Sequence, residues 1–285
     1  MKKKMPSAFG DFGKSQLPRR RFLTRLAILT GSITSALSLF PVIKGKALLN
    51  IPLSDQNEAI RESMVEYPCV TGKMKAFLAI PNNESKFPAV IVIHENRGLV
   101  PHIKEVTRRM AKEGFLSLAP DALSPVGGTP EDISNVGELF AKLDSNKTTQ
   151  NFVSAVAYLK TYPNSSGKVG CTGFCWGGAM TNQVAVNCED LDAAVPYYGR
   201  QPEPDDVKKI KAPVLAHYAE NDERINAGIA AFEEALKAAG KEYQIFIYPG
   251  TGHGFNNDTN PGRYHPEAAK LAWDRTIDFF REKLV

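Results

Sequence analysis

Gly173-Phe174-Cys175-Trp176-Gly177-Gly178 has the form G-x-C-x-G, with cysteine at a position where serine is commoner. The apolar run Val169-Gly170-Cys171-Thr172 precedes it, and a helical stretch from Ala179 to Val186 follows. A strand, a tight turn and a helix in that order lift the central residue above a sheet. Small residues flank it because the turn is sharp and the backbones pack closely. The turn also sets Cys175 at a helix N-terminus, where free N–H groups and the dipole favour a thiolate. Comparable thiols have pKa values between about 3.5 and 7.5, and a depressed value is expected here.

Two later loops supply partners. The predicted strand 213–218 leads into Ala219-Glu220-Asn221-Asp222-Glu223, where a carboxylate can reach a neighbouring loop. The predicted strand 243–248 leads into Pro249-Gly250-Thr251-Gly252-His253-Gly254-Phe255. In an open parallel sheet the carboxyl ends of such strands face one crevice. Cys175 would attack an acyl carbon, His253 would manage its proton and later activate water, and Asp222 would fix the imidazole. Glu220 and Glu223 are rivals to Asp222 in the same loop. A third loop, His94-Glu95-Asn96-Arg97-Gly98-Leu99, follows the β-branched run 89–93. It supplies one oxyanion N–H near Asn96, and Trp176 supplies the other.

Outside these loops the periodicity alternates between strand and helix. A hairpin is expected over 64–80, around Thr71-Gly72-Lys73, with a short helix or turn before it. Helices are expected over 101–113, 131–143, 149–161, 225–239 and 266–284, and a strand over 115–119. The loop 121–130 falls on the crevice side and is a candidate for a lid or a selectivity element. Alternating strands and helices from residue 89 onward argue an α/β fold with a mostly parallel central sheet and helices on both faces.

Charge divides the chain. Residues 1–47 hold ten Lys/Arg and one Asp, a net of +9; the remaining 25 Lys/Arg and 30 Asp/Glu give −5. No basic stripe for nucleic acid is left in residues 48–285. Arg19-Arg20-Arg21-Phe22-Leu23-Thr24 resembles a twin-arginine signal, and Leu26 to Val42 is a mostly apolar stretch of moderate hydrophobicity. The expectation is a signal segment over 1–47 and one domain over 48–285. The protein would be exported to the periplasm by the twin-arginine machinery. It would touch the membrane only if the segment stays uncleaved. The four cysteines, Cys69, Cys171, Cys175 and Cys188, have no zinc spacing. A chain folded before export keeps free thiols; a Cys69–Cys188 bridge is the alternative.

Taken together, IHENRGL at 93–99, GFCWGG at 173–178, PYYG at 196–199, the Asp222 loop and YPGTGHGF at 248–255 resemble the dienelactone hydrolase (carboxymethylenebutenolidase) family of α/β-hydrolases. The resemblance spans roughly 64–285. It implies an α/β-hydrolase fold and a triad of Cys175, Asp222 and His253, selecting Asp222 over its neighbours. Glu95 matches a family glutamate that helps switch the cysteine on when substrate binds. The implied activity is hydrolysis of a small ester or lactone through an acyl-thioester, with no metal and no organic cofactor, and a monomer is favoured. Family members hold a substrate carboxylate with two arginines. One of those positions is Asn257 here, and the other follows the strand 115–119, where no arginine occurs between Arg109 and Arg200. Arg97, Tyr198, Arg200, Phe255 and Asn257 are therefore the candidate substrate contacts. Two rival functions remain: a non-catalytic binding protein on the same fold, and a thiol redox protein using Cys175. The other histidines, His94, His102, His217 and His265, read as structural.

Overall fold

The computed structural model describes residues 59–285. The expected signal segment 1–47, its cleavage site at Ala47 and the polar stretch 50–58 lie outside the described residues. The elements run β1 (Ile60–Cys69), β2 (Gly72–Pro81), β3 (Phe87–Ile93), α1 (Pro101–Lys112), β4 (Leu116–Pro120), α2 (Val136–Phe140), α3 (Ser145–Lys160), β5 (Ser165–Phe174), α4 (Trp176–Asn187), β6 (Ala193–Tyr197), α5 (Pro204–Val207), β7 (Val214–Asn221), α6 (Glu223–Asn226), α7 (Ile229–Ala238), β8 (Tyr243–Gly252) and α8 (Pro266–Leu284). The eight strands form one sheet in the order β1-β2-β4-β3-β5-β6-β7-β8. β1 and β2 are an antiparallel hairpin, and β2 joins β4 antiparallel; β4 to β8 are parallel neighbours.

A strand side chain alternates between the two faces of its sheet, and β3 follows that rule strictly. Ala89, Ile91 and Ile93 enter one core with Phe152 of α3, Val184 of α4 and Phe232 of α7. Val90 and Val92 enter the other, with Ile103 and Val106 of α1 and Ile277 and Phe280 of α8. This two-sided burial is why residues 89–93 read as an unbroken β-branched run. Each such side chain contributes about 1.5–3 kcal/mol by leaving water.

Several boundaries differ from the sequence reading for local reasons. Residues 60–62 belong to β1, because every residue from Ile60 to Cys69 pairs with β2. α2 is only Val136–Phe140, and α3 starts four residues earlier than expected, at Ser145. Asp144 caps α3, its carboxylate accepting from the Lys147 N–H at 2.8 Å. The stretch 225–239 breaks into α6 and α7 around Gly228.

The free carboxyl ends of β3, β5, β7 and β8 carry Glu95, Cys175, Asp222 and His253. Two glycines let these ends converge. A Cβ on Gly177 would lie 2.4 Å from the Ile93 carbonyl oxygen and 2.5 Å from that of His94. A Cβ on Gly199 would lie 2.2 Å from the Ala179 nitrogen and from the Gly178 carbonyl carbon. Both obstacles are backbone, so nothing flexible can give way. Gly199→Ala is therefore expected to lower the melting temperature and cut activity together, the overpacking costing on the order of 1–3 kcal/mol. Thermal denaturation beside wild type checks this; an unchanged midpoint would show that α4 and the 198–200 turn are not clamped.

Candidate active site

Cys175 has φ 57° and ψ −113°, a conformation that a non-glycine residue adopts only under constraint. Such strain costs of order 1–3 kcal/mol. The constraint is visible on both sides of the residue. Its N–H donates to the Tyr197 carbonyl at 3.1 Å, and its own carbonyl accepts from the Ala179 N–H at 3.1 Å. Tyr198, the next strained residue at φ 36°, is held by its N–H donating to the His217 carbonyl at 2.7 Å.

His253 follows β8, and its Nδ1 lies 2.5 Å from Asp222 Oδ2. Asp222 is buried and His253 is partly exposed. With Nδ1–H committed to the carboxylate, Nε2 is left as the acceptor. The two rival acids are occupied or remote. Glu220 accepts from the Gly250 N–H at 2.8 Å, and Glu223 is exposed on α6.

Glu95 and Asn257 meet in front of the thiol, the Asn257 Nδ2–H donating to Glu95 Oε2 at 2.9 Å. Asn257 is placed there by its neighbour. The Asp258 carboxylate lies 3.2 Å from His102 Nδ1 and 2.5 Å from Arg109 Nη2, tying the loop to α1. The Glu95 loop is braced from behind as well. His94 Nδ1–H donates to the Glu95 carbonyl at 2.7 Å, while Nε2 accepts from the Ala122 N–H at 3.0 Å. Asp121 accepts from Thr129 Oγ1 at 2.8 Å, and Thr129 Oγ1 accepts from the Leu99 N–H at 2.8 Å. The loop 121–130 thus buttresses the Glu95 loop, and none of its residues lines the cavities beside Cys175.

The thiol departs from the depressed pKa that its helix N-terminus suggested. Burial pushes the Cys175 thiol above its ordinary value, and the Glu95 and Asp222 carboxylates add to that. The Trp176 N–H and the Arg224 guanidinium act in the opposite direction but do not prevail. Cys175 therefore rests as a neutral thiol. The turn contributes one N–H, whereas burial and two carboxylates oppose it.

Two cavities flank the thiol, and Asn96, Cys175 and His253 line both. One, of about 400 Å³, is polar and adds Glu95, Arg97, Asn257, Thr259, Asn260 and Arg263 to its walls. The other, of about 320 Å³, adds Trp176, Ala179, Tyr198, Arg200, Arg224 and Ile225. Phe255 lines neither; it is fully buried, 5.4 Å from the Tyr198 ring and 5.1 Å from that of Tyr248. The Tyr198 hydroxyl is buried with no hydrogen-bond partner among the described residues, an arrangement that costs about 1–3 kcal/mol unless a ligand fills it.

Sequence reasoning passed over Arg263, Arg224 and Ala179. Their signal was available: the first sits in the long segment between His253 and α8, Arg224 lies two residues after Asp222, and Ala179 lies four after Cys175. Neither Arg97 nor Arg263 forms an ion pair among the described residues. The segment that follows β4, where the resemblance sets the second arginine, holds none: residues 121–130 contain no arginine. Cys69, Cys171, Cys175 and Cys188 are free thiols in this structure. Among the described residues no group of three His, Cys, Asp or Glu is arranged to hold a metal. His217 is neutral inside the protein, its pKa held down to about 3 by burial and by Arg275, with Nδ1 2.9 Å from the Tyr248 hydroxyl.

The model of the dienelactone hydrolase family matches residues 74–284. A protein of Methylorubrum extorquens, "Putative carboxymethylenebutenolidase", is 33% identical over 287 residues, 95% of this chain and 97% of that protein. "Protein usf" of Aquifex pyrophilus is 35% identical over 231 residues, 78% of this chain and 98% of its own length. The crystal structure of "Putative Dienelactone Hydrolase" from Klebsiella pneumoniae superposes with a TM-score of 0.72 at 30% identity, covering 78% of this chain and 99% of that one. With the eight-stranded sheet and its crossing helices, these matches place the chain in the dienelactone hydrolase family, a family of α/β-fold hydrolases.

Proposed function

We propose that the protein hydrolyses a small ester or lactone by covalent catalysis, with Cys175 as nucleophile, His253 as base and acid, and Asp222 as the group that orients His253. The observation that carries this reading is the His253–Asp222 pair at 2.5 Å, with His253 lining the same two cavities as the strained Cys175. The substrate carbonyl lies against Sγ with its oxygen toward the N–H groups of Trp176 and Asn96. As Sγ bonds to the acyl carbon, the thiol proton passes to His253 Nε2, and Asp222 stabilises the imidazolium. Collapse of the tetrahedral intermediate breaks the bond to the leaving oxygen, which takes that proton. Water then attacks the thioester, giving a proton to His253, and the thiol is regenerated with release of the acid.

Glu95 sets when the nucleophile is switched on. In the empty site its carboxylate, held by Asn257, adds to the burial that keeps Cys175 protonated. A substrate entering the polar cavity competes for Asn257 and moves that charge from the thiol. Arg97 and Arg263 then face the polar part of the substrate in place of the two family arginines. The redox alternative lacks a partner thiol: Cys171 is fully buried and its pKa is pushed up to about 12 by burial. Export of the chain through its N-terminal segment is part of this proposal and rests on the sequence alone.

Cys175→Ala is expected to lower kcat/KM on the best ester or lactone substrate by at least about a thousandfold with the fold intact. Loss of less than tenfold, read by steady-state kinetics beside a thermal melt, would remove Cys175 from the chemistry. Glu95→Gln takes a negative charge from the thiol, so the Cys175 pKa falls and the thiolate fraction at neutral pH rises. The rate of Cys175 alkylation by iodoacetamide, followed against pH, should show its midpoint moved to lower pH. An unmoved or raised midpoint would contradict the role given to Glu95.

A further inference from the structure

The covalent reading leaves open where each half of the substrate lies, and the two cavities answer this. The polar cavity is built largely by the loop that carries His253, contributing Gly254, Asn257, Thr259 and Asn260. His253 must protonate the leaving oxygen, and although it borders both cavities the rest of its loop walls only the polar one, so the departing half belongs on that side. The acyl half stays bonded to Sγ at the start of α4, beside the second cavity. That cavity is walled there by Trp176, Ala179 and Ile225.

Its walls are preformed. The Trp176 indole stacks on His94 at 5.5 Å with an interplanar angle of 12°, and Phe140 meets it edge-on at 5.1 Å. Ile225 is 3% exposed, and Ala179 stands four residues, about one helical turn, after Cys175. Its charged members, Arg200 and Arg224, are exposed, and Arg200 pairs with Glu203 at 3.5 Å. No carboxylate lines it.

We propose that Trp176, Ala179 and Ile225 form an acyl subsite that accepts a linear apolar acyl chain, while the His253-loop cavity takes the polar departing half. The substrate class is thus an ester or lactone of an apolar acid with a polar or anionic second half. This rests on the acyl-thioester reading above. Each methylene moved from water into such a pocket is worth about fourfold in binding. Wild type should therefore prefer p-nitrophenyl hexanoate to the acetate.

The test is the ratio of kcat/KM on p-nitrophenyl hexanoate to that on the acetate, for wild type, Ala179→Leu and Ile225→Val. Ala179→Leu fills the subsite and should lower the ratio by about tenfold. Ile225→Val enlarges it and should raise the ratio, which keeps the test alive if the leucine variant does not fold. A ratio within about threefold of wild type in a folded Ala179→Leu protein, or one that falls in Ile225→Val, overturns the subsite. Failure of the underlying reading looks different, because intact mass of His253→Ala, in which deacylation stalls, would then show no acyl adduct on Cys175 with either ester. Loss of the ratio effect alongside a normal adduct condemns the subsite alone.

Discussion

The structure depends on one strained residue. Cys175 is held in a backbone conformation that opposes its own side chain, and the β5–α4 turn is what holds it. The strain persists because α4 is pressed against the ends of β3 and β6 so closely that only glycines fit at 177 and 199. Those contacts are backbone against backbone, and the parallel pairing of β3, β5 and β6 fixes them in turn. The two-sided core is therefore the anvil on which the turn is bent. A looser sheet would let Cys175 relax into the helix and withdraw its thiol from the crevice.

Strain aims the thiol but does not ionise it. A helix N-terminus alone favours a thiolate, and burial beside Glu95 reverses that preference. Such an arrangement protects the thiol from adventitious alkylation and oxidation, because the thiolate is the reactive form. In the proposed mechanism it also makes activity conditional on a change in the surroundings of Glu95. Asn257 is the group placed to transmit that change, and the clamp of Asp258 on His102 and Arg109 holds it in place.

How much of this could be read from the sequence follows from what is local. The G-x-C-x-G turn, the β-branched run at 89–93 and the glycine-rich loop around His253 are local signals, and they indicated an α/β sheet with its site at one end. The choice of Asp222 over Glu220 was not local; it depends on Glu220 being taken by the Gly250 N–H of the next strand. The α2 boundary differs because 131–135 has helical spacing but is almost wholly exposed, and the 225–239 helix breaks where Gly228 interrupts it. The thiol pKa was misread for the same reason: burial and a carboxylate from another loop are tertiary facts. The cavity walls at Arg263 and Arg224 lay beside recognised residues, yet which way they face is decided by the fold.

The most direct test of the central claim is intact mass spectrometry of His253→Ala mixed with a small activated ester. Without His253 to activate water, deacylation stalls while the half-buried thiol still reacts slowly. The account predicts one acyl group per chain, mapped by peptide digestion to the segment bearing Cys175 and absent when Cys175 is also replaced by alanine. An unmodified protein that nonetheless turns the ester over, or an acyl group on any other residue, would contradict it.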